Sequence, residues 1–291
     1  MKKCWKIISC VTDVLEEGSS RGMKTRIISG ICMVPFLALI YFGGVWLAAL
    51  CIFVGFVGVR EFYNGFRAMD VHPSSPIGYG ALVVLYFIHG MCAYGGWTNE
   101  YELLLAWLAF SIIICSIYMF NAKKIHPFDA MATMIGIIYI EFFSFHVVLV
   151  DNTGEYSILV WLVLLSAFGS DICAYFTGVF LGKHKLCPDL SPKKTIEGAV
   201  GGVIGSAIVC GLFGYFFCPQ FLVHCIIIGF VGSVISMCGD LTASAYKRKM
   251  GIKDYGTLIP GHGGIMDRFD SVMFTAPFVY YYIVLILMNF Q

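Results

Sequence analysis

Residues 261–290 read GHGGIMDRFDSVMFTAPFVYYYIVLILMNF. The first ten positions hold three glycines, a histidine, an arginine and two aspartates, and the next twenty hold no charged residue. An α-helix needs about 20 mostly apolar residues to cross the hydrocarbon of a bilayer. The stretch therefore reads as a charged loop that runs straight into a membrane span. The whole chain has the same character: of 291 residues, 59% are hydrophobic and 13% charged. Soluble domains are typically about 45–50% apolar and about 25% charged. A soluble core of this size would need far more polar surface, so the solvent of this chain is lipid.

Working outward from that last span, apolar runs predict spans near 26–42, 44–60, 76–96, 101–120, 127–150, 157–181, 197–217, 221–243 and 270–290. The expected fold is an all-α polytopic bundle of about nine transmembrane helices. With the N-terminus in the cytoplasm, the connections on that side carry all 19 Lys and Arg. The links on the other side, near 43–44, 97–100, 151–156 and 218–220, carry Glu100, Asp151 and Glu155 and no cation. Cytoplasmic loops of membrane proteins are enriched in Lys and Arg, so the N-terminus is expected inside and the C-terminus outside. Residues 1–22 read as a cytoplasmic extension without a signal-peptide cleavage site, and 23–291 as the membrane domain. The 12 cysteines form no metal-binding or CxxC spacing. Most lie in apolar runs, as small core residues do. A net charge of +1 gives no case for a nucleic-acid partner.

Two long connections, 182–196 and 244–269, fall on the same predicted side. Four polar stretches line that face: SDICAYFTG (170–178), LSPKKTIEG (190–198), GDLTASAYKRKMGIKD (239–254) and PGHGGIMDRFD (260–270). Ionised carboxylates near hydrocarbon are costly and normally have a partner and a purpose. Asp171, Asp240, Asp267 and Asp270 come from three different predicted spans. Asp240, Ser244 and Lys247 share one helical face, and Asp267 and Asp270 share another. Carboxylates converging at a membrane surface suit Mg²⁺, which binds one or two of them together with substrate phosphates and waters. Gly263 and Gly264 precede a helix start, where N–H groups bind anions. In SPKKT, Ser191 is expected to cap a helix with Pro192 in its first turn, and Lys193 and Lys194 add charge. Gly198/Gly202 and Gly201/Gly205 have the spacing of close helix packing. Glu61, Glu141, His89, His146 and His224 lie in or beside spans and are assigned no role. Glu61 is expected at the interface.

Residues 244–270, SAYKRKMGIKDYGTLIPGHGGIMDRFD, closely resemble the signature of the phosphatidate cytidylyltransferase (CDP-diacylglycerol synthase) family. That pattern runs Ser-x-apolar-Lys-Arg, four residues, Lys-Asp, then His-Gly-Gly-apolar-x-Asp-Arg-apolar-Asp. Tyr246 stands where the family usually has an aliphatic residue or Phe, and Ala243 where a glutamate is frequent. The stretch DICAYFTGVFLGKHKLCPDLSPKKTIEGAVGG (171–202) is also similar to this family. The resemblance implies an integral membrane enzyme that joins CTP and phosphatidate, with its catalytic part within 165–275. It further implies Mg²⁺ held by Asp240 and Asp267, a monovalent cation such as K⁺, and a homodimer. A bacterial plasma membrane with a cytoplasmic active site is expected.

The expected reaction brings two polyanions together. A phosphate monoester has its second pKa near 6, so the nucleophile is largely a dianion at pH 7 and requires no strong base. Cations must screen the repulsion and steady the leaving pyrophosphate. Asp171 and Asp270 join Asp240 and Asp267 as candidate metal ligands. Lys247, Arg248 and Arg268 are candidate catalytic cations. Ser191, Lys193, Lys194, Thr195, Ser244, His262, Gly263 and Gly264 are candidate phosphate contacts. A CTP-dependent kinase of polyprenol or phytol is the alternative enzyme, and a transporter the alternative outside enzymology. The Walker pattern of ATPases and the aspartate pattern of CDP-alcohol phosphotransferases are both absent.

Overall fold

The computed structural model describes residues 36–120, 124–258 and 263–289. Among the described residues, eight helices are long and apolar enough to cross a membrane. They are α1 Gly44–Arg67, α2 Ser75–Gly95, α3 Glu100–Tyr118, α4 Pro127–Asp151, α5 Gly154–Leu181, α6 Ile196–Phe217, α7 Pro219–Met250 and α8 Met266–Leu287. Each coincides with one of the predicted spans. The remaining one, near 26–42, lies mostly outside the described residues, as do 1–22 and His262.

Two expectations are corrected. The connection expected over 244–269 begins seven residues later, because α7 continues to Met250 and stops at Gly251, which sits at φ 69°. Ala, Lys, Arg and Met favour helix, and only the glycine takes the left-handed conformation at no steric cost. Asp240, Ser244, Lys247 and Arg248 are therefore all helical. The connection 182–196 also holds a small antiparallel hairpin, β1 (Lys185–Cys187) and β2 (Ser191–Thr195). Ser191 is thus a strand residue and caps nothing. Thr195 is the N-cap of α6, its Oγ1 accepting from Gly198 N at 3.1 Å.

The large apolar side chains that face outward would be a liability in water. Examples are Phe87, Phe110, Phe180, Ile208 and Phe216, which are exposed. On a bundle of spans they form the lipid-facing surface. Inside, the bundle core is apolar, with Leu85, Leu162, Val163 and Ile228 fully buried. A second cluster lies beneath the polar face. There the rings of Phe62, Tyr139 and Tyr246 meet with centroids 5.3–5.9 Å apart. This packing gives Tyr246 a place despite its departure from the family pattern. Ala243 is completely buried, with its carbonyl accepting from the Tyr255 hydroxyl at 3.1 Å.

α5 and α6 touch backbone to backbone along a glycine seam, as the small-residue spacing predicts. A Cβ on Gly198 would lie 2.8 Å from Ala174 O and 3.3 Å from Gly178 Cα. A Cβ on Gly202 would lie 3.0 Å from Ser170 O. Main-chain atoms cannot step aside, so any side chain must part the helices. Gly198→Val is expected to cost about 2–3 kcal/mol by overpacking. Val200→Ala, on the exposed side of the same helix, is expected to stay within about 0.5 kcal/mol. Thermal unfolding of the two variants in detergent micelles measures the difference.

Candidate active site

The polar ends of α5, α6, α7 and α8 meet on one side, and the hairpin is fastened among them. Glu197, in the first turn of α6, accepts from Lys183 N at 3.0 Å and His184 N at 3.2 Å, and pairs with His184 Nδ1 at 2.6 Å. Carboxylates are favoured at helix starts, and this one also holds the chain entering β1. At the other end of the hairpin, Arg248 Nε donates to Leu190 O at 3.3 Å.

These elements enclose a cavity of about 400 Å³. Its lining includes Asp171, Tyr175, Lys193, Lys194, Thr195 and Asp240. Lys194 forms an ion pair with Asp240, each side chain a quarter exposed. Ser244 Oγ, one turn beyond, lies 3.5 Å from Asp240 Oδ1. The charges of Asp240, Lys194 and Arg268 all act on Asp171, and those of Asp240, Lys247 and Asp171 act on Asp270. Three carboxylates from α5, α7 and α8 thus share one electrostatic neighbourhood. Asp270 is buried and receives Ser271 N at 2.8 Å.

Asp267 is placed differently. Its Oδ1 accepts from Lys247 Nζ at 2.8 Å, and its Oδ2 from Tyr255 N at 2.8 Å and Gly264 N at 3.0 Å. Asp267 is therefore the knot that ties Tyr255 and Gly264 to Lys247 of α7 and to α8. Gly263, at φ 86°, brings the chain so close that a Cβ there would sit 2.9 Å from Asp267 Oδ2. Lys247 Nζ also lies 5.4 Å from the centre of the Tyr255 ring. Burial, with the Asp267 charge behind it, pushes the Tyr255 hydroxyl above its ordinary range, so it remains a proton donor to Ala243 O.

Sequence reasoning missed Glu61. This residue of α1 is buried, and its carboxylate crosses to the start of α8, accepting from Ile265 N at 3.2 Å and Met266 N at 2.9 Å. The first turn of a helix has N–H groups without intrahelical partners, and here a distant side chain supplies them. Glu61, assigned no role from the sequence, is thus a buried cap for the start of α8. At this helix start the N–H groups of Gly264, Ile265 and Met266 donate to Asp267 and Glu61. A Cβ on Gly264 would collide with the Glu61 carboxylate, which accounts for the glycine without a phosphate. The available signal was an acid within an apolar run, but its partner is 205 residues away.

The donor set fits Mg²⁺ in its usual mode. No group of three or more His, Cys, Asp or Glu among the described residues closes around a single ion. Mg²⁺ does not need such a cage, since it keeps waters and takes one or two carboxylates with substrate phosphates. Three buried serine hydroxyls without partners, Ser170, Ser236 and Ser271, stand beside or one turn from Asp171, Asp240 and Asp270. Of the candidates from the sequence, Asp171, Asp240, Lys193, Lys194 and Thr195 come together at the cavity. Arg268 and Asp270 act on its carboxylates. Lys247, Asp267, Gly263 and Gly264 form the adjoining knot, Arg248 holds the hairpin, and Ser191 lies on β2. His262 lies outside the described residues.

Comparison with known proteins gives a consistent result. The pattern described as "Cytidylyltransferase family" matches residues 24–286. A phosphatidate cytidylyltransferase of Staphylococcus saprophyticus is 34% identical, the alignment covering 88% of this chain and 96% of that protein. The phosphatidate cytidylyltransferase of Synechocystis is 33% identical over 90% of this chain and 97% of its own length. That of Bacillus subtilis is 30% identical over 90% and 98%.

Proposed function

Because this chain belongs to the cytidylyltransferase family, we propose that it transfers CMP from CTP to phosphatidate, leaving CDP-diacylglycerol in the membrane and releasing pyrophosphate. The observation that carries this reading is the cavity in which Asp171 and Asp240 face Lys193 and Lys194, at the end of a bundle clad in apolar side chains. An acceptor with a phosphate head and two acyl tails suits such a place. The exposed Tyr175, Phe176, Val179 and Phe180 offer a surface for tails that stay in the bilayer.

The phosphate monoester of the lipid attacks the α-phosphorus of CTP. One P–O bond forms and the bond to the pyrophosphate oxygen breaks. The nucleophile is already anionic, so no residue has to take a proton from it. The work of the chain is to gather like-charged partners and hold them in line. Lys193 and Lys194 sit where they can receive phosphates at the cavity, and the Arg268 charge acts on Asp171. Lys247 positions Asp267, and Arg248 positions the turn of the hairpin. Asp240, with Asp171 and Asp270 around it, would hold Mg²⁺, with Asp267, which accepts from Lys247, as a further candidate ligand. When bound, Mg²⁺ supplies positive charge that screens phosphate repulsion. A K⁺ ion, a homodimer, an active site facing the cytoplasm and a bacterial plasma membrane complete the proposal, supported by the family resemblance and by the sorting of cations.

The test uses the full chain in micelles with labelled CTP, phosphatidate and Mg²⁺. CDP-diacylglycerol and pyrophosphate are the expected products, in equal amounts. CDP with a lipid monophosphate formed from a lipid alcohol would instead identify a kinase.

A further inference from the structure

At the far end of the bundle from the cavity, two cysteines meet. Cys218 follows the last residue of α6, and Cys225 lies in the first α-helical turn of α7. Their sulfurs are 3.8 Å apart, both side chains are completely buried, and both are free thiols. The chain between them is a tight 3₁₀ turn, Pro219–Phe221. A disulfide needs sulfurs at about 2.05 Å, so the two must approach further before a bond can form. The link 218–220 is also one of those from which every Lys and Arg is missing, which puts it on the outer, oxidising side under the orientation proposed above.

We propose that Cys218 and Cys225 are a disulfide-forming pair that locks the α6–α7 hairpin when the outer face is oxidising. The oxidant is a disulfide of the thiol–disulfide exchange class. The Cys218 thiol loses its proton and attacks one sulfur of that disulfide, expelling the other as a thiolate. The Cys225 thiol loses its proton and attacks the Cys218 sulfur, expelling the second. Two protein thiols become one S–S bond, and the two halves of the oxidant leave as thiols carrying the two protons. Complete burial means that the first attack occurs when the short turn opens. Cys210 is buried as well, and a bond from it to Cys225 is the alternative the test excludes.

The pair matters because of what the same two helices carry at their other ends. α6 begins at Thr195 and Gly198, and α7 carries Met237 and Asp240, all lining the cavity. Over its 22 residues, α6 spans about 33 Å. A covalent tie at the distal turn holds the hairpin together without touching the site.

The experiment equilibrates the full chain, in lipid vesicles, with a glutathione buffer of oxidising poise, then quenches it with acid and alkylates free thiols. Chymotrypsin cleaves after Phe221, between the two cysteines. The expected result is one species in which the fragments bearing Cys218 and Cys225 stay joined, two hydrogens lighter than their sum, and part on reduction. In Cys225→Ser, Cys218 is expected to accumulate as a mixed disulfide with glutathione. The oxidised chain is expected to lose activity on heating roughly tenfold more slowly than the reduced chain. Alkylation of both cysteines after oxidising equilibration overturns the proposal, as does a bond from Cys225 to Cys210. If Cys225→Ser does not fold, the fragment masses of the unmutated chain decide alone. Failure here leaves the transferase reading untouched, since neither cysteine lines the cavity.

Discussion

Asp240→Asn is expected to lower CMP transfer by about 10³-fold, or about 4 kcal/mol in the barrier, while the protein still folds. Asparagine keeps the shape of the side chain and removes its charge. That charge pairs with Lys194 and acts on both Asp171 and Asp270. Without it, Lys194 loses the partner that aims it into the cavity, and the carboxylate best placed to hold a cation is gone. The fold depends much less on this residue, because α7 is fixed by its packing on α5, α6 and α8. Steady-state rates of CDP-diacylglycerol formation, with gel filtration as the check on folding, measure the effect. Activity within about tenfold of the unmutated chain would mean that Asp240 is not at the centre of the site.

Glu61→Ala is expected to have the largest effect on stability. The carboxylate accepts two buried N–H groups at the start of α8. Hydrogen bonds to a charged acceptor contribute about 1.5–3 kcal/mol each, and buried donors left alone cost about 1–3 kcal/mol. A loss of about 3–4 kcal/mol is expected. Glu61→Gln is expected to recover part of it, since its carbonyl oxygen can accept one N–H while its amide opposes the other. Thermal unfolding in micelles separates the three proteins. Activity is expected to fall in the same order, because Asp267 and Asp270 lie within the first turns of the helix that Glu61 caps. Equal stability of Glu61→Ala and the unmutated chain would show that α8 starts correctly without the cap.

The spans were legible because lipid imposes one demand, a run of about 20 apolar residues, and each run could be read alone. The convergence of polar stretches was legible for a related reason, since the distribution of Lys and Arg sorts the connections by side. What escaped were features set by several elements together. α7 passes the apolar boundary at residue 243 because its next residues are good helix formers, a point that hydropathy does not weigh. The hairpin at 185–195 is only eight strand residues, held by Glu197 and Arg248 from neighbouring helices. Ser191 has the chemistry of a helix cap, but Thr195 is the residue at the helix start. At 263 and 264 the glycines do permit close approach, as expected. What approaches Gly263 and Gly264 is a pair of carboxylates, and a partner as remote in sequence as Glu61 cannot be found by local pattern.

The glycine seam between α5 and α6 sets two different rules for substitution along a single helix. Gly198 and Gly202 meet main chain and have no smaller neighbour to displace, so drift at these positions is blocked in one direction only, toward bulk. Val200, Ile204, Ile208 and Leu212 look outward, where any greasy residue serves equally well. α6 should therefore carry its history in alternating bands, frozen on one flank and freely interchangeable on the other.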